Sequence, residues 1–256
     1  MRGLWDRETV AMLLLVALMP VALAWLWYGG VPAAARLAAV LVVSGLWHVV
    51  FMLMRAQPPS LAGAASALAV AMLAPDVGPV ALILGVSFGT VMAELVFGGW
   101  GRNLLHPATI TLAFLGFGFS AAAWPDLPLP VAWAAIPAAM LGAVPGVMPA
   151  RLLAGAALGG LAAWALGLPV VPLLPAAGLV LVLLVADPVA SAATRAGAWM
   201  NGALYAGLVA LFALLWGQGA PVQIAVSAAL LASLAAPLLD EIAIATWLAR
   251  RRRRHG

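Results

Sequence analysis

The 256-residue sequence contains no cysteine and no lysine, and only 8% of its residues are charged. The missing cysteines exclude disulfides, thiolate nucleophiles and Cys-ligated zinc or iron–sulfur sites within this sequence. The shortage of charge excludes a soluble globular domain, in which roughly a quarter of the residues are charged. Hydrophobic residues make up 66% of the sequence. This composition is typical of a polytopic membrane protein, in which each span takes about 20 apolar residues.

Proline, glycine and charged residues divide the sequence into ten apolar segments, which predict an all-α integral membrane protein with about ten transmembrane helices. The segments are 11–29, 35–54, 60–74, 79–97, 107–123, 130–144, 148–167, 169–186, 198–216 and 221–239. The third and sixth are short and bounded by prolines, so we expect tilted or broken helices there. The remaining residues are too few for a soluble domain, and we expect a single membrane domain over residues 1–256.

Arginine supplies all twelve basic side chains. If the N-terminus is cytoplasmic, only Arg36 falls on the outer side, as the positive-inside rule favours. We therefore expect a bacterial-type inner membrane protein with both termini in the cytoplasm. The run from Arg250 to Arg254 indicates contact with lipid headgroups rather than with nucleic acid.

The two halves of the sequence, about 11–123 and 130–240, resemble each other weakly and precede a basic tail, 241–256. An apolar stretch ends at Ala74-Pro75-Asp76 in the first half and at Ala186-Asp187-Pro188 in the second. Because five helices are an odd number, two such halves insert with opposite orientation. The pattern predicts two inverted five-helix repeats with a binding site between them.

The first candidate site is a glycine-rich loop. Gly98, Gly99 and Gly101 precede His106-Pro107, and glycine permits positive φ while Pro107 suits the first turn of a helix. We expect backbone amides at this helix N-terminus to be exposed to a phosphate, a carboxylate or a polar ring edge. A tight membrane turn without a ligand is the alternative.

The second candidate site follows the eighth apolar segment. It contains Asp187, Ser191, Thr194 and Arg195. An acid at membrane depth is a functional candidate because burying it unpaired is costly. Asp187 at the interface, capping a helix or pairing with Arg195, is an equal alternative.

Two further groups lie on the second and fourth segments. Glu94 is a candidate proton or cation site, but we favour an ion pair with Arg102 at the cytoplasmic interface. His48 is interpreted as a hydrogen-bonded histidine of the core.

These residues carry a resemblance to a known family, the membrane subunit shared by the Rnf complex (its D subunit) and the sodium-pumping NADH:quinone oxidoreductase (its B subunit). The family's glycine loop is matched by Phe97, Gly98, Gly99, Gly101, Asn103, Pro107 and Ala108, with His106 in place of an asparagine. Its Asp-Pro signature is matched by Asp187, Pro188, Val189, Thr194 and Gly197. Its terminal pattern is matched by Pro237-Leu238-Leu239-Asp240.

The resemblance implies ten transmembrane helices in two inverted repeats, similar to urea transporters, and electron transfer through flavin. It also implies other membrane or flavin-bearing subunits as partners and coupling to Na+ or H+. The candidate cofactor-binding residues are Gly98, Gly99, Gly101, Asn103, His106, Asp187, Ser191 and Thr194. The candidate ion, proton or structural residues are Glu94, Arg102, Arg195 and Asp240.

The sequence departs from the family at the flavin attachment site. The family's S-G-A-T motif is missing, and the loop that corresponds to its position spans only Trp124 to Pro130. We therefore expect flavin (FMN or riboflavin) to be bound non-covalently or to be held by a partner. A small-solute transporter, for example for a vitamin, and a structural subunit of a membrane complex are the alternatives.

Overall fold

The computed structural model of the protein describes residues 6–55, 60–103 and 105–255, whose regular secondary structure is entirely helical. The helices are α1 (Arg7–Arg55), α2 (Ala62–Leu73), α3 (Pro79–Gly89), α4 (Pro107–Gly118), α5 (Leu129–Trp133), α6 (Ala135–Ala143), α7 (Ala150–Ala165), α8 (Leu174–Val180), α9 (Arg195–Leu215) and α10 (Pro221–His255). Two π-helical segments, Thr90–Leu95 and Leu181–Val185, extend α3 and α8, and a 3₁₀ turn at Val171–Leu173 precedes α8. The prediction of an all-α protein is confirmed.

Each of the ten predicted apolar segments overlaps a helix. The first two segments share α1, which bends at Gly30, where φ is 56° and ψ is −144°. The sixth segment is broken at Ala134 into α5 and α6, as its prolines predict. The third segment, α2, is only 12 residues long, which also agrees with the expectation.

Within the part of the chain that the structure describes, three helices are long and apolar enough to cross a membrane: 7–54, 195–215 and 221–251. Six further apolar helices have 10 to 17 residues, so several segments predicted at nearly full span length are shorter. α4, for example, has 12 residues and covers about 18 Å of a hydrocarbon layer about 30 Å thick. The helix lengths establish a multi-pass membrane protein, whereas ten complete crossings stay a prediction.

Two short segments form the centre of the fold. All residues of α2 from Ala65 to Leu73 are buried, and so are all residues from Val182 to Asp187. Their C-terminal ends lie at opposite ends of α4. Asp76, after α2, donates its backbone N–H to Ala123 O at 2.7 Å, beyond the end of α4. Asp187, after the second segment, lies within electrostatic reach of His106, which precedes α4.

The outer surface of the bundle is apolar. Large hydrophobic side chains project outward on several helices, such as Trp27, Leu53 and Val144. Monomeric soluble proteins rarely expose continuous apolar surface on this scale, because it would associate in water. A lipid environment removes that penalty, in agreement with the predicted membrane location.

Helices α7 and α9 pack closely because glycine lines their contact. A Cβ atom on Gly155 would collide with Trp199 O, and one on Gly202 would collide with Leu152 O. Small residues allow helix backbones to approach closely in membranes, where dispersion contacts rather than the hydrophobic effect hold helices together.

Arg36, the exception to the arginine distribution, has a structural partner. Its Nη2 donates to Ala74 O at 2.7 Å and to Pro75 O at 2.9 Å. These carbonyls follow the C-terminus of α2, where a cation also interacts favourably with the helix dipole. Arg36 therefore satisfies polar groups that the buried α2 would otherwise leave unpaired.

Candidate functional site

Three glycines shape the loop between the π-helical segment Thr90–Leu95 and α4. Gly98, Gly99 and Gly101 have φ angles of 106°, 89° and 94°, so the predicted positive φ is confirmed. Trp100, between them, is buried in a small cluster with residues of α1 and α2. The loop is therefore folded against the helix bundle.

Backbone amides of this loop are bonded within the loop itself. Gly99 N donates to Glu94 O at 3.0 Å, and Gly101 N donates to Asn103 Oδ1 at 3.1 Å. Asn103 Nδ2 donates in turn to Leu105 O at 3.0 Å. The amides of Gly99 and Gly101 are therefore paired within the loop rather than open to a ligand. The Asn103 side chain competes successfully for the Gly101 donor and closes the turn.

Glu94 faces the interior of the bundle. It lies on the π-helical segment, is 1% exposed, and its Oε1 is 3.2 Å from His48 Nε2 on α1. Arg102 is exposed in the loop and forms no ion pair with Glu94. The favoured pairing of Glu94 with Arg102 is therefore wrong, because the π-helical turn directs the carboxyl group inward while Arg102 lies on the outside of the loop.

His48 is a hydrogen-bonded histidine of the core, as interpreted from the sequence. Its Nδ1 is 2.8 Å from Ser44 O, one turn earlier on α1. A cavity of about 10 Å³ adjoins the His48–Glu94 pair. Hydroxyl groups of four neighbouring helical segments line this cavity: Ser44, Ser66, Thr90 and Thr111. A volume of this size accommodates one water molecule at most.

A second buried polar group lies between the glycine loop and the segment after Val185. His106 and Asp187 are each 3% exposed and lie within electrostatic reach of each other and of Glu94. Six buried side-chain atoms of the described residues lack a hydrogen-bond partner. Two of them, His106 Nδ1 and Asp187 Oδ1, belong to this group, and a third, Thr109 Oγ1, lies in the turn of α4 that follows His106. Buried polar atoms in native proteins are normally paired, so these three atoms mark a candidate ligand site.

The electrostatics of this cluster favour its neutral forms. Burial raises the pKa of Asp187 above its ordinary value, although the nearby His106 opposes that shift. Burial lowers the pKa of His106, although Asp187 opposes that shift. A protonated carboxyl group and a neutral imidazole each carry one donor and at least one acceptor. Together they can bind a polar group that both donates and accepts hydrogen bonds.

The alternative for Asp187, an ion pair with Arg195, is not formed. Asp187 is buried, whereas Arg195 is exposed in the first turn of α9. Asp187 Oδ2 accepts a long bond of 3.3 Å from Ala190 N. Ser191 is buried in the same turn, where its N–H donates to Asp187 O at 3.1 Å.

Thr194 and Asp240 cap the start of α9. Thr194 Oγ1 accepts from Gly197 N at 3.0 Å, which is an ordinary N-cap bond. Asp240, on α10, accepts from Ala193 N at 2.8 Å, from Thr194 N at 2.9 Å and from Thr194 Oγ1 at 2.6 Å. Thr194, a candidate cofactor-binding residue in the sequence, and Asp240, a candidate ion, proton or structural residue, thus make the contacts of a helix cap.

Thr109 was absent from the sequence candidates. It lies three residues after His106, so helical spacing places it one turn from that residue, but a threonine at this spacing is common in apolar helices. The contact of His48 with Glu94 had no sequence signal, because 46 positions separate the two residues. In the described parts of the chain, no group of three or more His, Asp or Glu side chains is arranged to hold a metal ion.

The sequence profile of the NQR2, RnfD, RnfE family matches residues 4–145, which is more than half of the chain. The chain belongs to this family. Its members are membrane subunits of the Rnf and NQR electron-transfer complexes. The matched range includes His48, Glu94 and the glycine loop, whereas Asp187 and Asp240 lie beyond it.

Curated members of the NQR2, RnfD, RnfE family show the same similarity over a shorter range. The chain is 37% identical over 89 residues to the B subunit of the Na(+)-translocating NADH-quinone reductase of Klebsiella pneumoniae, covering 34% of this chain and 22% of that protein. The corresponding protein of Neisseria meningitidis serogroup B is 38% identical over 85 residues, 33% of this chain and 21% of that protein. The alignments thus span about a fifth of the length of these relatives.

Proposed function

We propose that this protein is the membrane subunit of a flavin-linked electron-transfer system and carries no covalent FMN. Membership of the NQR2, RnfD, RnfE family and the absence of an S-G-A-T sequence support the two parts of this proposal. Other membrane or flavin-bearing subunits are the partners, and ion movement coupled to electron transfer is the wider role. A flavin supplies reversible uptake and release of electrons when it is bound.

The observation that carries the proposal is the set of three unpartnered atoms, His106 Nδ1, Thr109 Oγ1 and Asp187 Oδ1. The polar edge of a flavin ring presents both acceptors and a donor, which suits a hydroxyl, a neutral imidazole and a carboxyl group. A phosphate suits the site less well, since the amides of Gly99 and Gly101 are already bonded. The ring edge of riboflavin or FMN is therefore the part that these residues would hold.

The inverted-repeat arrangement is also part of the proposal. The C-terminal ends of α2 and of the Leu181–Val185 segment lie at opposite ends of α4, so the two central segments run in opposite directions. This supports two inverted halves, about 11–123 and 130–240, in a urea-transporter-like scaffold.

Single cysteines test that topology cleanly, because the sequence has none of its own. Asp6→Cys and Arg251→Cys should both react from the cytoplasmic face with a membrane-impermeant thiol reagent, and Leu129→Cys should react from the outer face. All three residues are exposed. Labelling of positions 6 and 251 from opposite faces would exclude the arrangement.

The flavin proposal is tested on the full-length protein in lipid nanodiscs, supplied with riboflavin or FMN. Binding should give a flavin absorbance band, and Asp187→Ala together with His106→Ala should weaken the flavin affinity about tenfold for each hydrogen bond lost. Asp126→Ala is the matched control, since it makes the same change in the loop between α4 and α5, away from His106 and Asp187.

Two results would contradict the proposal. One is a protein that stays colourless with both flavins and isolates no flavoprotein partner. The other is equal flavin affinity in the Asp187→Ala and Asp126→Ala variants, which would remove Asp187 from the site. The polar cavity beside Glu94, at about 10 Å³, is too small to hold an organic solute.

A further inference from the structure

The His48–Glu94 pair lies outside the three-atom cluster assigned above to a flavin, and its hydrogen bonds restrict its protonation. His48 Nδ1 is 2.8 Å from Ser44 O. A carbonyl oxygen only accepts hydrogen bonds, so Nδ1 carries a hydrogen in every state that keeps this contact. The second ring nitrogen, Nε2, is therefore the one whose protonation can change.

The contact between His48 Nε2 and Glu94 Oε1, at 3.2 Å, requires one proton between the two atoms. With none, two lone pairs face each other, and with two, two donors face each other. With one, the pair is either imidazolium with carboxylate or neutral imidazole with carboxylic acid. Both of these arrangements have zero net charge.

Because the His48–Glu94 pair is buried, the number of protons it holds, and hence its net charge, strongly affects its free energy. The side chains of His48 and Glu94 are 13% and 2% exposed. The residues that line the cavity from α2 and α4, including Gly63, Ser66 and Thr111, are uncharged. A net charge in this environment is costly, so the neutral pair with a single proton is favoured over the pair with none or with two.

The remaining titratable groups around Glu94 lie on one side of it. His106, before α4, and Asp187, after the Leu181–Val185 segment, are within its electrostatic reach. Both have an unpartnered buried atom. Arg102 belongs to the exposed surface of the loop. The groups next able to accept or supply a proton are therefore those at the loop end of the bundle.

The position of Glu94 on a π-helical segment supports a special role. Val96 N bonds to Val91 O at 2.9 Å, an i to i−5 contact, and π-bulges within α-helices are frequent at functional sites. We propose that His48 and Glu94 form an intramembrane binding site for a single proton, which exchanges with the loop end of the bundle through His106 and Asp187. This proposal does not depend on flavin binding.

Nuclear magnetic resonance of the full chain in lipid nanodiscs tests this site. The sequence has only three histidines and three glutamates, so labels of ¹⁵N on histidine and of ¹³C on the glutamate carboxyl group give few signals. Over about pH 5 to 9, His48 Nδ1 should stay protonated. The signals of His48 Nε2 and the Glu94 carboxyl group should change together, with one shared midpoint and one proton released.

Variants distinguish a shared proton from independent titration. Glu94→Gln should abolish the His48 step, and Glu241→Gln, an exposed control, should leave it unchanged. The shared midpoint in the wild-type protein decides the question even if the Glu94 variant does not fold.

Three results would overturn the proposal. They are separate midpoints for His48 and Glu94, an ionised Glu94 beside a neutral His48 over the whole pH range, and a shift of both signals when K+ is replaced by Na+. The last result would mean that the pair binds a metal cation instead of a proton.

Discussion

Two aspartates stabilise the segment between the Leu181–Val185 π-helix and α9 to different degrees. Asp187 lies within this segment, Asp240 binds it from α10, and the two differ in their hydrogen bonds. Asp240 accepts three bonds of 2.6 to 2.9 Å from Ala193 and Thr194. Asp187 is 3% exposed, its Oδ2 accepts a long bond of 3.3 Å from Ala190 N, and its Oδ1 has no hydrogen-bond partner. Protein donors thus occupy both carboxyl oxygens of Asp240, whereas one carboxyl oxygen of Asp187 has no hydrogen-bond partner.

The difference separates a carboxyl group with a structural role from one that is available to a ligand. A carboxyl group whose bonding capacity is used by the backbone holds that backbone in place and has little left for a ligand. A buried carboxyl group with a free oxygen costs stability and is retained where it does something else. Both aspartates lie beyond the range that the family profile matches, so only their contacts distinguish their roles.

The largest expected loss of stability comes from removing the carboxyl group of Asp240. Asp240→Ala should lower the free energy of unfolding by about 2 to 4 kcal/mol, because three hydrogen bonds to a carboxyl group are lost and two backbone N–H groups lose their partner. Thermal unfolding in detergent, followed by tryptophan fluorescence, measures this change.

Graded variants sharpen this result. Thr194→Ala should cost about 1 to 2 kcal/mol through loss of the N-cap bond and the bond to Asp240, and Thr194→Ser should restore most of it. Glu241→Ala alters the next residue, which is exposed, and serves as the control. If Asp240→Ala were no more destabilising than Glu241→Ala, Asp240 would not be a structural carboxyl group.

The smallest change in stability is expected for the carboxyl group of Asp187, and this change depends on pH. Because burial raises the pKa of Asp187 above its ordinary value of 3.8, the folded state prefers the protonated form. Stability from this group is present below pH 3.8 and is lost as the pH rises towards the pKa of the folded protein. Asp187→Asn removes that loss and should stabilise the protein at neutral pH by about 1 kcal/mol or less.

The measurement is the difference in unfolding free energy between Asp187→Asn and wild type at about pH 4 and about pH 7. The difference should favour the variant more at the higher pH. A variant that is destabilised at neutral pH by as much as Asp240→Ala would erase the contrast between the two aspartates.

Much of the fold was predictable because it depends on local properties of the sequence. Apolar length and the positions of proline located the helices, including the break at Ala134. The three loop glycines predicted backbone conformations with positive φ, since other residues rarely adopt them. Predictions about partners were weaker: Glu94 was expected to pair with Arg102, eight residues away in sequence, and instead pairs with His48.

The sequence by itself determined that this chain is a helical membrane protein, because composition and apolar periodicity act residue by residue along the chain. The profile match over residues 4–145 likewise required only the order of its residues. Tertiary structure decided which buried polar groups have hydrogen-bond partners within the protein and which have none. That outcome depends on which distant segments meet in a medium without water, where each buried donor or acceptor either finds a protein partner or remains available to a ligand or a proton.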